Sequence, residues 1–275
     1  MGKTLLFIIA FSSILFAYTD SDMDGVADSL DKCPNTPLLD LVDINGCTKK
    51  VLIPKSRKYH LDLIAGVNYS GSNFASLNQT DTVSTSLQFD YYYENFSIQA
   101  STSYYKTDGD DYSENGMNDS FIGIAYNIKP NKDLLIRVGL GAILPTYDTG
   151  LNNNNTDYSA SINISYTREK INIFGSYIYT MINDDDVIVD DISYMYEDTN
   201  AFSLGLGYYF TEKLYISSSY NSVNSIYKDI ENVNTASVYA YKSINKNWFL
   251  TLFYAYGLSD SASDHAASVK IGYYF

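Results

Sequence analysis

Cysteine, proline, tryptophan, histidine and long apolar runs are all scarce in this 275-residue chain, and each scarcity removes a class of protein. After Ala17 no stretch of eighteen apolar residues occurs, so the chain cannot cross a bilayer as a helix. Five prolines and one tryptophan stand beside 28 tyrosines and 13 phenylalanines, a mixture that favours strands and turns over helices. The two histidines, His60 and His265, fall in no nucleophile or zinc motif. Ser263, Asp264 and His265 adjoin in sequence, but triad members meet through side-chain geometry, so the chain is read as no enzyme and no catalytic residue is assigned. Basic residues are few, 18 against 32 acidic, and this argues against a nucleic-acid partner, whose phosphates need Lys and Arg.

What is present begins with Lys3 and an apolar run from Leu5 to Phe16 that ends at Ala17, the layout of a secretory signal peptide over residues 1–17. Its removal takes Lys3 and no acid, moving the net charge from −14 to −15. No cysteine follows the run directly, which argues against a lipid-anchored N-terminus. Export to an oxidising compartment favours a bridge between Cys33 and Cys47, the only two cysteines. Residues 18–48 are rich in Asp and hold both cysteines, and they form a separate module joined by a linker over 49–58; Pro34, Pro37 and Pro54 all fall in this part.

From Tyr59 to Phe275 the chain reads as about twelve segments of nine to eleven residues with alternating side chains, the length a tilted strand needs to cross a membrane. The clearest are residues 59–69, 83–93, 96–105, 134–144, 158–166, 171–180 and 202–210. In the second, Val83, Thr85, Leu87, Phe89, Tyr91 and Tyr93 share one face, while Ser84, Ser86, Gln88 and Asp90 share the other. Less regular segments cover 120–128, 214–220, 235–241, 248–256 and 266–275; the Trp248 segment is apolar on both faces, so its orientation stays open. Connections alternate in length. Short ones such as Glu94-Asn95 and 211–213 alternate with long ones such as 106–119, 145–157 and 181–201, as a barrel with short periplasmic turns and long external loops requires. The long loops are acidic, either solvated or able to take divalent cations, whereas Lys129, Lys132, Arg168, Lys170, Lys213, Lys242 and Lys246 cluster at short turns. The expected fold is therefore all-β: an antiparallel transmembrane β-barrel of about 12 strands, preceded by a short irregular calcium-binding module.

The chain ends Ile271-Gly272-Tyr273-Tyr274-Phe275, and this aromatic-terminated strand resembles the C-terminal signature of bacterial outer-membrane barrels. The resemblance covers residues 59–275. It implies a porin-like protein in the outer membrane, with membrane lipid and, through the Phe275 strand, the barrel-assembly machinery as partners, and small solutes as possible cargo.

The sharpest local motif runs from Asp20 to Asp31. Asp20, Asp22, Asp24, Asp28 and Asp31 occupy its first, third, fifth, ninth and twelfth positions, with Gly25 at the sixth, and a hard, oxygen-seeking Ca²⁺ needs ligands converging around a loop that turns sharply. The carbonyl of Val26 completes the set. No helical periodicity flanks the loop, which disfavours an EF-hand. The segment looks like a thrombospondin type 3 repeat, and that resemblance implies ligand roles for Asp20, Asp22, Asp24 and Asp31, with Asp28 joining through water. The stretch onward to Cys47 is similar to the linkers of outer-membrane protein A-like porins, but here it precedes the barrel and no peptidoglycan-binding domain follows. A Cys33–Cys47 bridge closes a loop of about fifteen residues, for which chain entropy gives roughly 3 kcal/mol.

The alternation assigns His60, Asp62, Gln88, Asp90, Gln99, Arg137 and Lys270 to the lumen, where charges either pair with one another or line a water path. Closure makes the first and last strands neighbours, so Asp62 and Lys270 are expected to pair near the seam. Two functions follow. The first is a small passive channel with a periplasmic N-terminal module; the second is a structural or adhesion barrel that displays its loops without an open pore. A soluble β-sandwich is disfavoured by the outward Leu, Ile, Phe and Tyr faces.

Overall fold

The computed structural model describes residues 59–72, 80–109, 112–147, 153–189 and 192–275, together with Asp22, Val26, Ala27, Asp28, Asp31, Lys32, Cys33, Thr36, Val42, Asn45 and Cys47. The expected signal peptide and linker, and the proposed ligands Asp20 and Asp24, lie outside the described residues.

Among the described residues, alternation along the chain produces fifteen strands: β1 (Tyr59–Ser72), β2 (Thr80–Tyr93), β3 (Phe96–Gly109), β4 (Tyr112–Met117), β5 (Ser120–Ile128), β6 (Leu134–Leu144), β7 (Asp157–Arg168), β8 (Ile171–Met181), β9 (Val187–Val189), β10 (Ile192–Tyr194), β11 (Thr199–Thr211), β12 (Leu214–Val223), β13 (Val233–Ser243), β14 (Trp248–Gly257) and β15 (His265–Tyr274). All except β4, β9 and β10 pair antiparallel around a closed ring. The seam is β1 against β15, from Asp62 opposite Tyr274 to Gly71 opposite His265. The outer half of β3 pairs with β4 and its inner half with β5, so β4 and β5 are two halves of one strand interrupted at Asn118 and Asp119. The barrel therefore has the twelve strands expected, and several extend beyond the segments read from the pattern, β3 and β2 by three or four residues. The long loop after β8 carries the small hairpin β9–β10, which the sequence pattern did not announce.

Closure sets two faces with different chemistry. Leu63, Val67, Leu87, Phe89, Leu140, Leu204 and Leu206 point outward and stay exposed, whereas Asp62, Ser84, Gln88, Asp90, Ser97, Asn127 and Ser165 point inward and are buried. In lipid the outward set is the solvated one. Tyr and Trp rings mark both rims. Trp248, Tyr273 and Phe275 meet edge-on at one rim, while Tyr69, Tyr177 and Tyr220 at the other give their hydroxyls to Asp81, Asn200 and Asn234. The Trp248 strand, open in the sequence, is settled: Leu252, Tyr254 and Tyr256 face out, and Phe249, Thr251 and Ala255 face in.

The short turns gather at one end of the barrel. Glu94 and Glu169 take left-handed φ values of 53° and 57°, which lets two-residue hairpin turns match the strand twist. In the longer turns Asn131 and Asn245 each accept two backbone N–H groups through Oδ1.

At that same end the lumen is lined by large rings instead of small polar residues. Tyr209, Tyr215, Tyr241, Phe249 and Tyr274, with Ile64, form one buried apolar cluster together with Val26 and Ala27 of the N-terminal segment. The rings fit because the lumen-facing neighbours are glycines: a side chain at Gly207 would collide with Tyr215, and one at Gly272 with Phe249. Replacing Gly272 by Val should therefore displace Phe249 and cost about 1–3 kcal/mol. A lowered midpoint in urea unfolding of the refolded barrel checks this, and an unchanged midpoint contradicts the packing described.

Candidate functional site

The lumen is the concave space that the fold builds, and its two mouths are lined by different means. At the short-turn mouth Val26 and Ala27 of the N-terminal segment sit within the ring of aromatic residues. Cys33 and Cys47 are joined, as the sequence led one to expect. Val26 and Ala27, 3% and 1% exposed, are the apolar tip, held between Tyr209, Tyr215, Tyr241, Phe249 and Tyr274. Polar ties surround that tip. Lys129, in the β5–β6 turn, donates to the carbonyls of Asp22 and Thr36 at 3.1 Å each; the Tyr209 hydroxyl donates to the carbonyl of Asp28; Lys32 faces Glu212 at 3.6 Å. Sequence reasoning treated the segment as standing apart from the barrel and missed this ring. The one available signal was an aromatic side chain on the inward register of β11, β12, β13, β14 and β15 close to the turns, where other inward positions are small.

Within the segment, the Asp22 carboxylate accepts the Thr36 N–H and the Asp31 carboxylate accepts the Cys33 N–H. Asp22 and Asp31 are buried, and Asp22, Asp28 and Asp31 all act electrostatically on Tyr209. Val26 occupies the apolar cluster through its side chain, which leaves its carbonyl as its only group for a metal. Among the described residues no group of three or more acidic, His or Cys side chains stands ready to hold an ion.

Farther in, the seven side chains assigned to the lumen all lie on the inward register. Asp62 is fully buried and pairs with His60, Nε2 to Oδ1 at 2.5 Å, and the imidazole also rests on Tyr92 and Tyr274. This corrects the expected Asp62–Lys270 pair. The seam register sets Lys270 opposite Gly66, four residues along β1 from Asp62, so the lysine acts on Asp90 instead. Asp90 lies between Asp62 and Gln99 in register and accepts a 2.8 Å hydrogen bond from Gln88. Arg137 reaches across β5 to donate to Ser97 Oγ at 2.9 Å. The charged wall thus belongs to β1, β2, β6 and β15. The facing wall carries uncharged groups, with Ser219 bonded to Ser237, Ser176 to Ser203, and Asn172 to Ser165, Thr167 and Tyr215.

At the long-loop mouth the acids act mainly as backbone acceptors. Asp119 accepts from Tyr147, Asp157 from Asn183, Asp184 from Asn155, Asp186 from Tyr196 and Asp198 from Ile182. These bonds hold the loops over the opening, where Tyr194, Tyr196 and Tyr227 pack with Ile182, Val187, Ile226 and Ile230. Tyr147 meets the lumen residue Tyr105 edge-on at 5.5 Å. His265 hydrogen-bonds to the Tyr254 hydroxyl at 2.8 Å.

A closed twelve-strand barrel with an apolar belt and a polar lumen is a porin-like barrel of the outer membrane. The chain belongs to the family described as "putative MetA-pathway of phenol degradation", whose family model matches residues 51–275. Among solved structures it is similar to an outer-membrane channel from Pseudomonas putida F1, with a TM-score of 0.59 at 12% identity over 78% of this chain and 95% of the other. It is also similar to the NanC porin, with a TM-score of 0.52 at 14% identity over 78% and 98%, and to the KdgM porin, 0.50 at 12% over 77% and 98%. No curated sequence matches the chain. At these identities the likeness is one of fold.

Burial in the rim pushes the Asp119 carboxyl up to about 6; the bonds from the Tyr147 and Thr146 N–H groups oppose the shift and the nearby Asp184 adds to it. The folded chain therefore keeps this proton to higher pH than an unfolded Asp with its ordinary value of 3.8, so stability falls as pH rises from 3.8 to about 6. Asp119→Asn retains an acceptor for Tyr147 and has no proton to lose. Its stability relative to the original protein should rise across that interval, on the order of 1 kcal/mol once solvent screening is allowed for. Urea unfolding at pH 4, 5, 6 and 7 tests it, and a constant difference at all four would refute the assignment.

Proposed function

We propose that the protein is a passive channel for small solutes, not an enzyme, and that its own disulfide-closed N-terminal segment narrows the periplasmic mouth. The observation that carries this reading is the seating of Val26 and Ala27 in an aromatic ring at one end of an otherwise polar lumen. A barrel built only for display has no need of a hydrophilic interior lined by Ser, Thr and Asn. The likeness to channel and porin folds supports the same reading. Placing the segment in the periplasm follows from the short turns beside it, since short turns of such barrels lie on that side.

The segment is also proposed to bind Ca²⁺ through Asp20, Asp22, Asp24 and Asp31, with Asp28 and the Val26 carbonyl completing the set. What supports this is the spacing of the motif, whose donors are all hard oxygen. A bound ion would neutralise these acids and stiffen the loop that presents Val26 and Ala27.

Planar-bilayer recording of the refolded mature chain, beside a variant lacking residues 18–48, tests the channel. The shortened protein should show unitary conductance severalfold larger, and chelation of calcium should shift the intact protein toward that level. Silence from both proteins would reject the pore in favour of a display or adhesion barrel; equal conductance would reject the narrowing role of the segment.

A further inference from the structure

The short-turn rim carries an arc of exposed positive charge on one side of the barrel. Six strands lie side by side there, β7, β8 and β11 to β14, joined by three short turns. Those turns and the strand ends beside them hold Arg168, Lys170, Lys213, Lys242 and Lys246, all exposed. Among the described residues none of the five forms an ion pair. Two acids share the arc, Glu169 and Glu212, and Glu212 faces Lys32 at 3.6 Å. On the other side of the same rim the β2–β3 turn carries Glu94, and no described Lys or Arg accompanies it.

The apolar belt fixes the depth of this arc. Arg168 continues the outward register of Ile162, Ile164 and Tyr166 on β7, and Lys242 continues that of Ala236, Val238 and Ala240 on β13. Each cation therefore takes the next lipid-facing position after the last apolar one. Lys242 pairs in register with Leu214 and Leu250, and the Ser243 N–H donates to the Lys213 carbonyl, so Lys213 and Lys242 stand on adjoining backbone. Two residues beyond Lys246, Trp248 is exposed at the same rim and meets Tyr273 edge-on. Trp and Tyr rings sit at the headgroup level of a bilayer, so these cations lie level with lipid phosphates.

We propose that this arc binds the phosphodiester headgroups of anionic glycerophospholipids. The guanidinium of Arg168 offers a planar fork that matches phosphate, and the lysines add point charges. A collar that was only solvated would need neither the outward register of Arg168 and Lys242 nor their place at the edge of the apolar belt. Several cations held together at that depth favour an anionic lipid over a neutral one. The proposal goes beyond the channel reading and needs no open pore.

Trp248 is the single tryptophan of the chain, and its place near Lys242 and Lys246 makes its emission a reporter of the lipid there. The full mature chain would be refolded into phosphatidylcholine bilayers containing a minor fraction of acyl-brominated lipid, either phosphatidylglycerol or phosphatidylcholine. Brominated phosphatidylglycerol should quench Trp248 about two- to fourfold more per mole than brominated phosphatidylcholine, and added salt should shrink the excess. The excess should vanish when Lys213→Gln, Lys242→Gln and Lys246→Gln are combined, and Lys246→Gln alone should lower it. It should persist in Lys106→Gln, which removes a charge at the opposite mouth. Equal quenching by the two lipids in the original protein would overturn the proposal, as would an excess that survives in both the triple and the single variant. A silent planar bilayer with the excess intact would count against the channel and leave the lipid site standing.

Discussion

Everything in this molecule depends on the closing ladder between β1 and β15. In hydrocarbon a strand with a bare edge leaves its N–H and C=O groups unpaired at a cost of several kcal/mol each, and only a closed ring removes that edge. Ten register pairs from Asp62–Tyr274 to Gly71–His265 supply the closure. Once the ring is shut, each strand must turn one face to lipid and the other inward. The side-chain alternation is the consequence of that geometry.

Closure also creates a problem that the interior has to solve. A twelve-strand barrel encloses more space than its own small inward residues fill, and the two ends deal with the excess differently. At the short-turn end, bulky rings are accommodated by glycines on the neighbouring strands, as with Tyr215 over Gly207 and Phe249 over Gly272, and the ring they make is completed by Val26 and Ala27. At the long-loop end, carboxylates of Asp119, Asp157 and Asp184 hold backbone N–H groups and fold the loops inward toward Tyr105 and Tyr147. Between these ends the wall is polar and asymmetric, with charges on one side and hydroxyls and amides on the other. An asymmetric wall of this kind can orient a solute that carries more than one polar group.

The acidic loops illustrate how a compositional signal can have a structural meaning. Negative charge in the long connections allowed a solvated surface or a cation site, and the structure adds a third use, capping of loop backbone. The disulfide joins Cys33 to Cys47 just beyond Val26 and Ala27, the residues that share the apolar cluster of the barrel.

Strand number, the inward and outward registers, the placement of His60, Asp62, Gln88, Asp90, Gln99, Arg137 and Lys270 on the lumen side, and the Cys33–Cys47 bridge could all be read from the sequence, because a period of two and a loop-length alternation are local properties. Three features could not. The partner of Asp62 depends on seam register, which joins residues about two hundred positions apart, and a shift of four residues along β1 was enough to replace Lys270 by His60. The seating of Val26 and Ala27 depends on aromatics drawn from five separate strands, each unremarkable alone. The capping of loop backbone by Asp119, Asp157 and Asp184 exists only because loops far apart in sequence meet at one mouth. Periodicity is written residue by residue, whereas enclosure is a property of the closed ring, and only tertiary structure decides what it surrounds.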